Sequence, residues 1–177
     1  PEICRELLWF CQRYPHDVDG LDYLKARSAE HEAQEREYAG VLSGEIDPRS
    51  FSTALPLREY QAVAAEMALR TKGLLLGDDV GLGKTAVAIG MLSDPSTRPA
   101  LIACYPHLQR QWEMELAKFA PGLRVHVLRS GTPYDIVRHG LRGAQRSWAD
   151  HFLPAFPDVI VSSYHKLSGW AETLGAV

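Results

Sequence analysis

Residues 74–92 read LLLGDDVGLGKTAVAIGML, and this stretch decides the fold. The apolar run 74–77 predicts a strand, and the run 86–92 predicts a helix. Between them, residues 78–85 form a glycine-rich turn, called the glycine loop below. Backbone N–H groups in such a turn point at one spot, and the helix N-terminus adds partial positive charge there. This arrangement predicts binding of a phosphate group.

The glycine loop carries the residue types that hold a nucleoside triphosphate. Gly81 and Gly83 allow the backbone to curl closely around an anion, because they have no side chain to obstruct a positive φ. Lys84 can reach the β- and γ-phosphates, and the Thr85 hydroxyl can ligate Mg²⁺. The strict pattern GxxxxGK[ST] fails at its first position, where Asp78 stands. The loop nevertheless predicts binding of a nucleotide together with Mg²⁺.

Four segments together resemble the SWI/SNF-type ATPases of helicase superfamily two. The glycine loop resembles motif I of that family. Upstream, residues 57–61 (LREYQ) resemble the family's Leu-Arg-x-Tyr-Gln segment. Downstream, residues 100–112 (ALIACYPHLQRQW) resemble motif Ia, and residues 158–164 (DVIVSSY) resemble a segment that lies along nucleic acid in the family. The resemblance covers about residues 55–165 and is more specific than the glycine loop alone.

The resemblance implies the ATP-binding lobe of a nucleic-acid-dependent ATPase, in particular a double-stranded DNA translocase or helicase-like motor. It implies that the amide of Gln61 holds adenine, with Arg58 as a weaker candidate for the same pocket. Lys84 and Thr85 are the expected catalytic residues. The expected cofactor-binding residues are Arg58, Gln61, Asp79, Gly81, Leu82, Gly83, Lys84 and Thr85.

Candidates for nucleic-acid contacts follow the predicted strands or lie on a basic helix face. Trp112 is predicted to belong to the core instead, because it forms an apolar stripe with Leu108 and Leu116. Arg138, Arg142 and Arg146 form the basic face at positions i, i+4 and i+8, which suits phosphate contacts but is also typical of a solvated helix. Ser162 and Ser163 could equally end the strand in an ordinary turn. The nucleic-acid candidates are His107, Gln111, Arg138, Arg142, Ser162, Ser163 and Tyr164.

Strands and helices alternate after a helical beginning. Residues 1–53 are predicted to form a helical N-terminal extension and linker, with one helix that ends near 14–15 and a second over about 21–42. The second helix is predicted to brace the core or to bind a partner. Residues 54–177 are predicted to form a partial RecA-like lobe. Apolar strands between helices predict an α/β fold, a three-layer RecA-like domain with a mostly parallel sheet. The predicted strands are 74–77, 101–105, 124–128 and 159–162, and the helices are 57–70, 84–92, 108–119 and 134–148.

Composition narrows the class of protein. The chain has 177 residues, 46% of them hydrophobic, and a net charge of −3, which argues against a simple basic nucleic-acid binder. Lys and Arg number 6 against 11 acidic residues in 1–53, but 8 against 3 in 98–146. The three cysteines lack metal or disulfide spacing, so we expect reduced, inert thiols. With no apolar span or signal segment, we expect a cytoplasmic protein without a membrane partner, and the composition suits a bacterial or phage origin.

The sequence lacks one part of the hydrolytic machinery. No predicted strand ends in the Asp-Glu pair that would hold Mg²⁺ and position the attacking water. The resemblance places that pair, and a second RecA-like lobe, beyond Val177, so we expect this chain to be part of a longer protein that binds ATP but does not hydrolyse it alone. Nothing indicates a histone partner. A non-motor NTPase switch or nucleotide-sensing module is the alternative, and nucleic-acid dependence of turnover separates the two.

Overall fold

The structure is a computed structural model that describes residues 2–14, 19–136 and 156–175. The chain divides into two compact units. The first comprises Pro1–Arg49 and Glu66–Leu74, and the second comprises Ser50–Ala65 and Leu75–Val177. No helix within the described residues is both long and apolar enough to cross a bilayer.

The first unit is helical, as predicted. Helix α1 spans Glu2–Arg13, and helix α2 spans Leu21–Ser43. Helix α2 ends because Gly44 adopts φ 79°, a left-handed conformation that glycine tolerates without steric cost. A salt bridge of 2.7 Å from Arg5 to Glu35 joins the two helices on their exposed surface.

The first unit also contains a buried carboxylate, Glu66, with two arginine partners. The Nε atom of Arg49 lies 2.6 Å from one carboxylate oxygen, and the Nε atom of Arg70 lies 2.5 Å from the other. Arg70 also pairs with Glu37 at 2.8 Å. We call Glu37, Arg49, Glu66 and Arg70 the Glu66 ion cluster. Burial raises the pKa of Glu66, but hydrogen bonds from Arg49 and Arg70 outweigh it, so the net pKa lies below its ordinary value.

The second unit contains a small parallel sheet. Its strands are β1 (Ala100–Cys104), β2 (Val125–Val127) and β3 (Val159–Ser163). Helix α3 spans Glu59–Thr71 and contributes to both units, while α4, α5 and α6 belong to the second. The bounds of these three helices are Lys84–Met91, Gln109–Phe119 and Tyr164–Gly175. Short 3₁₀ turns occupy Pro95–Thr97 and Pro106–Leu108.

The sheet order is β1-β3-β2, with both pairs parallel. Ala100 of β1 and Val125 of β2 both register with Val159, so β3 is the central strand. Every residue of β3 is buried. A strand that is covered on both faces reads as a continuous apolar run, which is why VIVSS was recognised from the sequence.

Alternate residues of β3 supply two separate cores. Val159 and Val161 face one side of the sheet, and Ile160 faces the other. The first core also contains Ile89, Leu92, Cys104 and Leu116, with Leu108 and Trp112 packed against it. This confirms the core role predicted for Trp112. The second core contains Leu128, Ile136 and Trp170. The second unit is therefore a three-layer α/β domain, as predicted.

A salt bridge fixes the start of β3. The carboxylate of Asp158 accepts hydrogen bonds from the Arg124 backbone N–H at 2.9 Å and from its guanidinium at 3.0 and 2.8 Å. These bonds lower the pKa of Asp158 from 3.8 to about 2. Asp158 therefore has a structural role in joining β3 to the segment before β2.

The strand predicted at 74–77 is wrong. These residues have no regular secondary structure, and the described part of the sheet consists of β1, β2 and β3 and does not include them. Leu75 is 97% exposed and Leu74 is 44% exposed. Apolar character alone does not make a strand, because the backbone N–H and C=O groups also need a neighbouring strand.

Helix α6 was not predicted. Its sequence, YHKLSGWAETLG, contains Gly169, which weakens a helical pattern. The packing explains this glycine, since a Cβ there would lie in steric conflict with the backbone of Gly131. Trp170 is fully buried, and its indole N–H donates to the Ser130 carbonyl at 2.9 Å. Most of the helix predicted at 134–148 lies outside the described residues.

Candidate nucleotide-binding site

The glycine loop has the backbone conformation that its sequence predicts. Gly81 and Gly83 adopt φ values of 93° and 80°, in the left-handed region that residues with a Cβ rarely occupy. Helix α4 begins at Lys84, directly after Gly83. The first N–H groups of an α-helix lack partners inside the helix, so the loop ends on free donors.

Lys84 folds back on the loop from which it emerges. Its ammonium group donates hydrogen bonds to the carbonyl oxygens of Asp78 at 2.6 Å and Asp79 at 2.9 Å. The carbonyl of Asp79 also accepts a hydrogen bond of 3.4 Å from the Leu82 N–H, which closes the turn. The ammonium is thus held at the loop by neutral carbonyls, which an anion with stronger acceptor oxygens can replace.

Helix α3 holds the loop through one carbonyl oxygen. The Tyr60 hydroxyl donates to the Leu82 carbonyl at 2.9 Å, and the Gln61 amide nitrogen donates to the same oxygen at 3.0 Å. The Gln61 amide oxygen accepts the Arg58 N–H at 3.0 Å. Gln61 is buried, and both ends of its amide are therefore used within the protein. A Cβ at Gly83 would lie 2.5 Å from the Gln61 nitrogen, so this close packing also requires glycine.

A cavity of about 680 Å³ opens above the loop. This volume falls within the usual range of small-molecule sites. Of the residues predicted to bind the cofactor, all but Asp79 line the cavity, and Asp79 contributes the carbonyl that holds Lys84. The lining residues from this set are Arg58, Gln61, Gly81, Leu82, Gly83, Lys84 and Thr85.

Helix α5 supplies another part of the cavity lining. Gln111, Glu115 and Lys118 recur at helical spacing on one face, and Phe119 completes it. The Lys118 ammonium lies 5.3 Å from the centre of the Phe119 ring, within the range of a cation–π contact. Gln111, predicted to contact nucleic acid, lines this cavity beside the glycine loop. Glu115 was not predicted, because a glutamate on a helix is usually solvated.

A family model named SNF2-related domain matches residues 5–176. The chain belongs to this family. The match includes the glycine loop, α3 and α5, so the predicted resemblance to SWI/SNF-type ATPases is confirmed.

Individual relatives agree with this assignment. This chain is 29% identical to Helicase ssl-1 of Caenorhabditis elegans over 61% of its own length and 6% of that protein. It is 34% identical to the mouse Chromodomain-helicase-DNA-binding protein 1-like over 40% of this chain and 9% of that protein. The chain spans less than a tenth of the length of the curated relatives it matches.

A solved structure supports the fold as well. The Sulfolobus solfataricus SWI2/SNF2 ATPase core in complex with dsDNA is 28% identical to this chain and aligns with it at a TM-score of 0.50. The alignment covers 69% of this chain and 24% of that one. The three-layer, mostly parallel arrangement is therefore RecA-like, as the sequence predicted.

An exposed aromatic cluster lies at the carboxyl ends of β1 and β3. The rings of Tyr105 and His107 are stacked, with centroids 5.9 Å apart, and Tyr105 meets Tyr164 edge-on at 5.7 Å. The structure thus brings together two residues predicted to contact nucleic acid, His107 and Tyr164. Tyr105, which joins them, was missed, although its place directly after β1 was a usable signal.

The other predicted nucleic-acid residues are not in this cluster. Ser162 and Ser163 are 0% and 2% exposed, and the Ser162 hydroxyl donates to the Ser163 carbonyl at 3.1 Å. Because β3 is central, both faces of the strand are covered and these hydroxyls do not reach the surface. Arg138 and Arg142 lie outside the described residues.

The side chains available as metal ligands fit an ion that arrives together with the nucleotide. Among the described residues, no group of three or more His, Cys, Asp or Glu side chains could hold a metal ion. The Thr85 hydroxyl lies on the cavity next to Lys84, which is the position predicted for a Mg²⁺ ligand. Cys104 is buried in the core, and burial raises the pKa of its thiol despite an opposing effect of Lys166, in keeping with an unreactive role.

Proposed function

We propose that this chain is the ATP-binding lobe of a nucleic-acid-dependent ATPase, a SWI/SNF-like motor that moves along double-stranded DNA. The observation that carries the proposal is the glycine loop itself. Its two left-handed glycines lead into the N-terminus of α4, and Lys84 and Thr85 line a cavity large enough for a nucleotide. Backbone donors, a lysine and a hydroxyl in this order suit a triphosphate with its metal.

The residues of the loop have distinct roles in this proposal. The Lys84 ammonium exchanges the carbonyls of Asp78 and Asp79 for phosphate oxygens and offsets their charge. The Thr85 hydroxyl ligates Mg²⁺. When bound, ATP would supply the phosphoanhydride bond whose hydrolysis drives the motor, and Mg²⁺ would neutralise charge on its phosphates. The first turn of α4 directs its N–H groups at the same phosphates.

We propose further that the 177-residue chain binds ATP without hydrolysing it. The residues that follow the described strands are Tyr105 after β1, Leu128 and Arg129 after β2, and Tyr164 after β3. None of them is a carboxylate that could position a water molecule. Hydrolysis and movement would then require further parts of the whole protein, including a second RecA-like lobe.

Double-stranded DNA is the proposed polymer. The archaeal ATPase core that resembles this chain was solved with dsDNA, which supports this choice. The exposed rings of His107 and Tyr164 lie at the carboxyl ends of parallel strands, the edge at which open α/β sheets hold ligands. Contacts by Arg138 and Arg142 remain predictions.

Nucleotide binding can be tested on the chain itself. We expect ATP with Mg²⁺ to bind the wild type, Lys84→Ala to reduce the affinity at least tenfold, and neither protein to release phosphate. Titration calorimetry and a phosphate-release assay provide the two readouts. Absence of ATP binding to the folded wild type would refute the proposed lobe.

The motor can be tested on the whole protein that contains this lobe. ATP hydrolysis is measured without nucleic acid and with duplex DNA, single strands or RNA. Stimulation by duplex DNA that is lost in Lys84→Ala supports a DNA translocase. Turnover that is indifferent to every polymer would contradict it and favour a switch or nucleotide sensor.

A further inference from the structure

We propose that Glu115 of α5 recognises the ribose of the bound nucleotide and makes the site selective for ribonucleotides over deoxyribonucleotides. This inference rests on the proposed function, since it concerns the same cavity. It assigns Glu115 a role that the sequence did not suggest, and it gives α5 a share in nucleotide recognition beside α3.

The polar groups that α3 brings to the cavity are already engaged. The Gln61 amide donates to the Leu82 carbonyl at 3.0 Å and accepts the Arg58 N–H at 3.0 Å. The Tyr60 hydroxyl donates to the same carbonyl at 2.9 Å. For Gln61 to contact a nucleotide, it would have to release the loop that holds the phosphates. The α3 contacts therefore suit positioning of the glycine loop better than reading of the ligand.

Helix α5 differs in this respect. Within the described ranges, the side chains of Gln111 and Glu115 form no hydrogen bond or salt bridge with another residue, although both residues line the cavity. Glu115 is half-buried, and its carboxylate has no partner among the described residues. A partly buried carboxylate without a partner gains hydrogen bonds when a ligand supplies donors. The α5 face is thus ready to receive polar groups from a ligand.

The chemistry of the lining selects the sugar as the partner of Glu115. Among the cavity-lining residues that the structure describes, Glu115 is the sole carboxylate. An ionised carboxylate accepts hydrogen bonds and donates none, so it suits hydroxyl groups and opposes phosphate oxygens. The phosphates are placed at Lys84 and Thr85 by the loop. The vicinal hydroxyls of ribose are then the donors that a carboxylate can bind, as acidic residues do in other nucleotide sites.

A neighbouring cation makes this role compatible with a polyanionic ligand. Lys118 lies one helical turn after Glu115 and lines the same cavity. Its charge offsets the repulsion between the carboxylate and the triphosphate. A neutral glutamine at position 115 would keep the size of the side chain but lose the strength of a charge-assisted bond.

The test compares three ligands on the full chain by titration calorimetry: ATP, 2′-deoxyATP and inorganic tripolyphosphate, each with Mg²⁺. We expect the wild type to bind ATP about tenfold more tightly than 2′-deoxyATP, the usual order for one hydrogen bond to a charged group. In Glu115→Gln we expect the affinity for ATP to fall about tenfold, the affinity for 2′-deoxyATP, which keeps the 3′-hydroxyl, to fall less, and the affinity for tripolyphosphate to stay unchanged.

Glu113→Gln is the matched control. Glu113 lies on the same helix, two residues away, and is exposed without lining the cavity. We expect it to keep the wild-type ratio of ATP to 2′-deoxyATP affinity. Glu115→Asp, which keeps the charge but shortens the side chain, should give an intermediate ratio.

Three results would overturn the inference. The first is a wild type that binds ATP and 2′-deoxyATP equally. The second is a Glu115→Gln variant that keeps the wild-type ratio, and the third is a variant with an unchanged unfolding midpoint that loses affinity for all three ligands equally. Failure of the proposed function looks different, because then neither ATP nor tripolyphosphate binds the wild type.

Discussion

The charged side chains of the Glu66 ion cluster and those around the glycine loop are used in opposite ways. Glu66 is buried between Arg49 and Arg70, and its charge holds these two side chains together. Around the loop, Lys84 donates to backbone carbonyls and, within the part of the chain that the structure describes, the Glu115 side chain has no hydrogen bond or salt bridge. Paired charges of this kind maintain a fold, whereas charges with weak partners or none can serve a ligand.

The largest expected effect on stability comes from Glu66→Ala. This change leaves two arginines without their shared carboxylate, and breaking a buried pair costs about 3 kcal/mol. Urea denaturation at neutral pH measures the free energy of unfolding. Because the pKa of Glu66 is lowered on folding, the loss should shrink as the pH falls below its ordinary value of 4.5.

Glu37→Ala is the control for this prediction. Glu37 is 59% exposed, and among the described residues its ion pair is with Arg70, so its loss should cost less than about 0.5 kcal/mol. Equal effects of the two changes would show that burial does not distinguish them, and the Glu66 ion cluster would lose its structural role.

Asp158→Asn should have the next largest effect. A pKa lowered from 3.8 to about 2 corresponds to at most about 2.5 kcal/mol. Arg124 is 52% exposed, and screening reduces this to about 1–2 kcal/mol. The contribution is complete above pH 3.8 and is lost as the pH falls through 2, so the wild type and the variant should converge in acid. A constant difference down to pH 2 would exclude this salt bridge as the cause.

Gln61→Ala should have a smaller effect on folding and a distinctive one on binding. Loss of its hydrogen bonds to the loop costs about 1 kcal/mol. If Gln61 positions the loop, the affinities for ATP and for tripolyphosphate should fall by the same factor in calorimetry. Gln111→Ala, in the same cavity, should leave stability unchanged. Loss of ATP affinity alone in Gln61→Ala would show instead that Gln61 reads adenine.

Lys84→Met should change stability least. The ammonium bonds to loop carbonyls that water can also solvate, so we expect the free energy of unfolding to change by less than about 0.5 kcal/mol. Nucleotide binding should nevertheless be lost. A thermal melt with and without ATP measures both effects. A large loss of stability would place Lys84 with the structural charges of the Glu66 ion cluster and break the comparison.

Most of the fold was predicted from local sequence patterns. The first two helices were placed within a residue or two, because apolar spacing, Tyr14 and the Gly44 cap mark their ends. The glycine loop was also predictable, since positive φ at Gly81 and Gly83 is a local property of glycine. Helix α6 was not predicted, because Gly169 weakens its helical pattern. This glycine is required by a contact with Gly131, a residue far away in sequence.

The sequence by itself determined that a glycine-rich turn precedes a helix, and which residue types that turn offers. The tertiary structure alone decided which neighbours they meet. Because β3 lies between β1 and β2, Ser162 and Ser163 are buried rather than displayed. Because α5 packs Trp112 into the core, it turns Gln111 and Glu115 toward the glycine loop. Secondary structure follows from short-range periodicity, but the partners of a side chain follow from how distant elements pack.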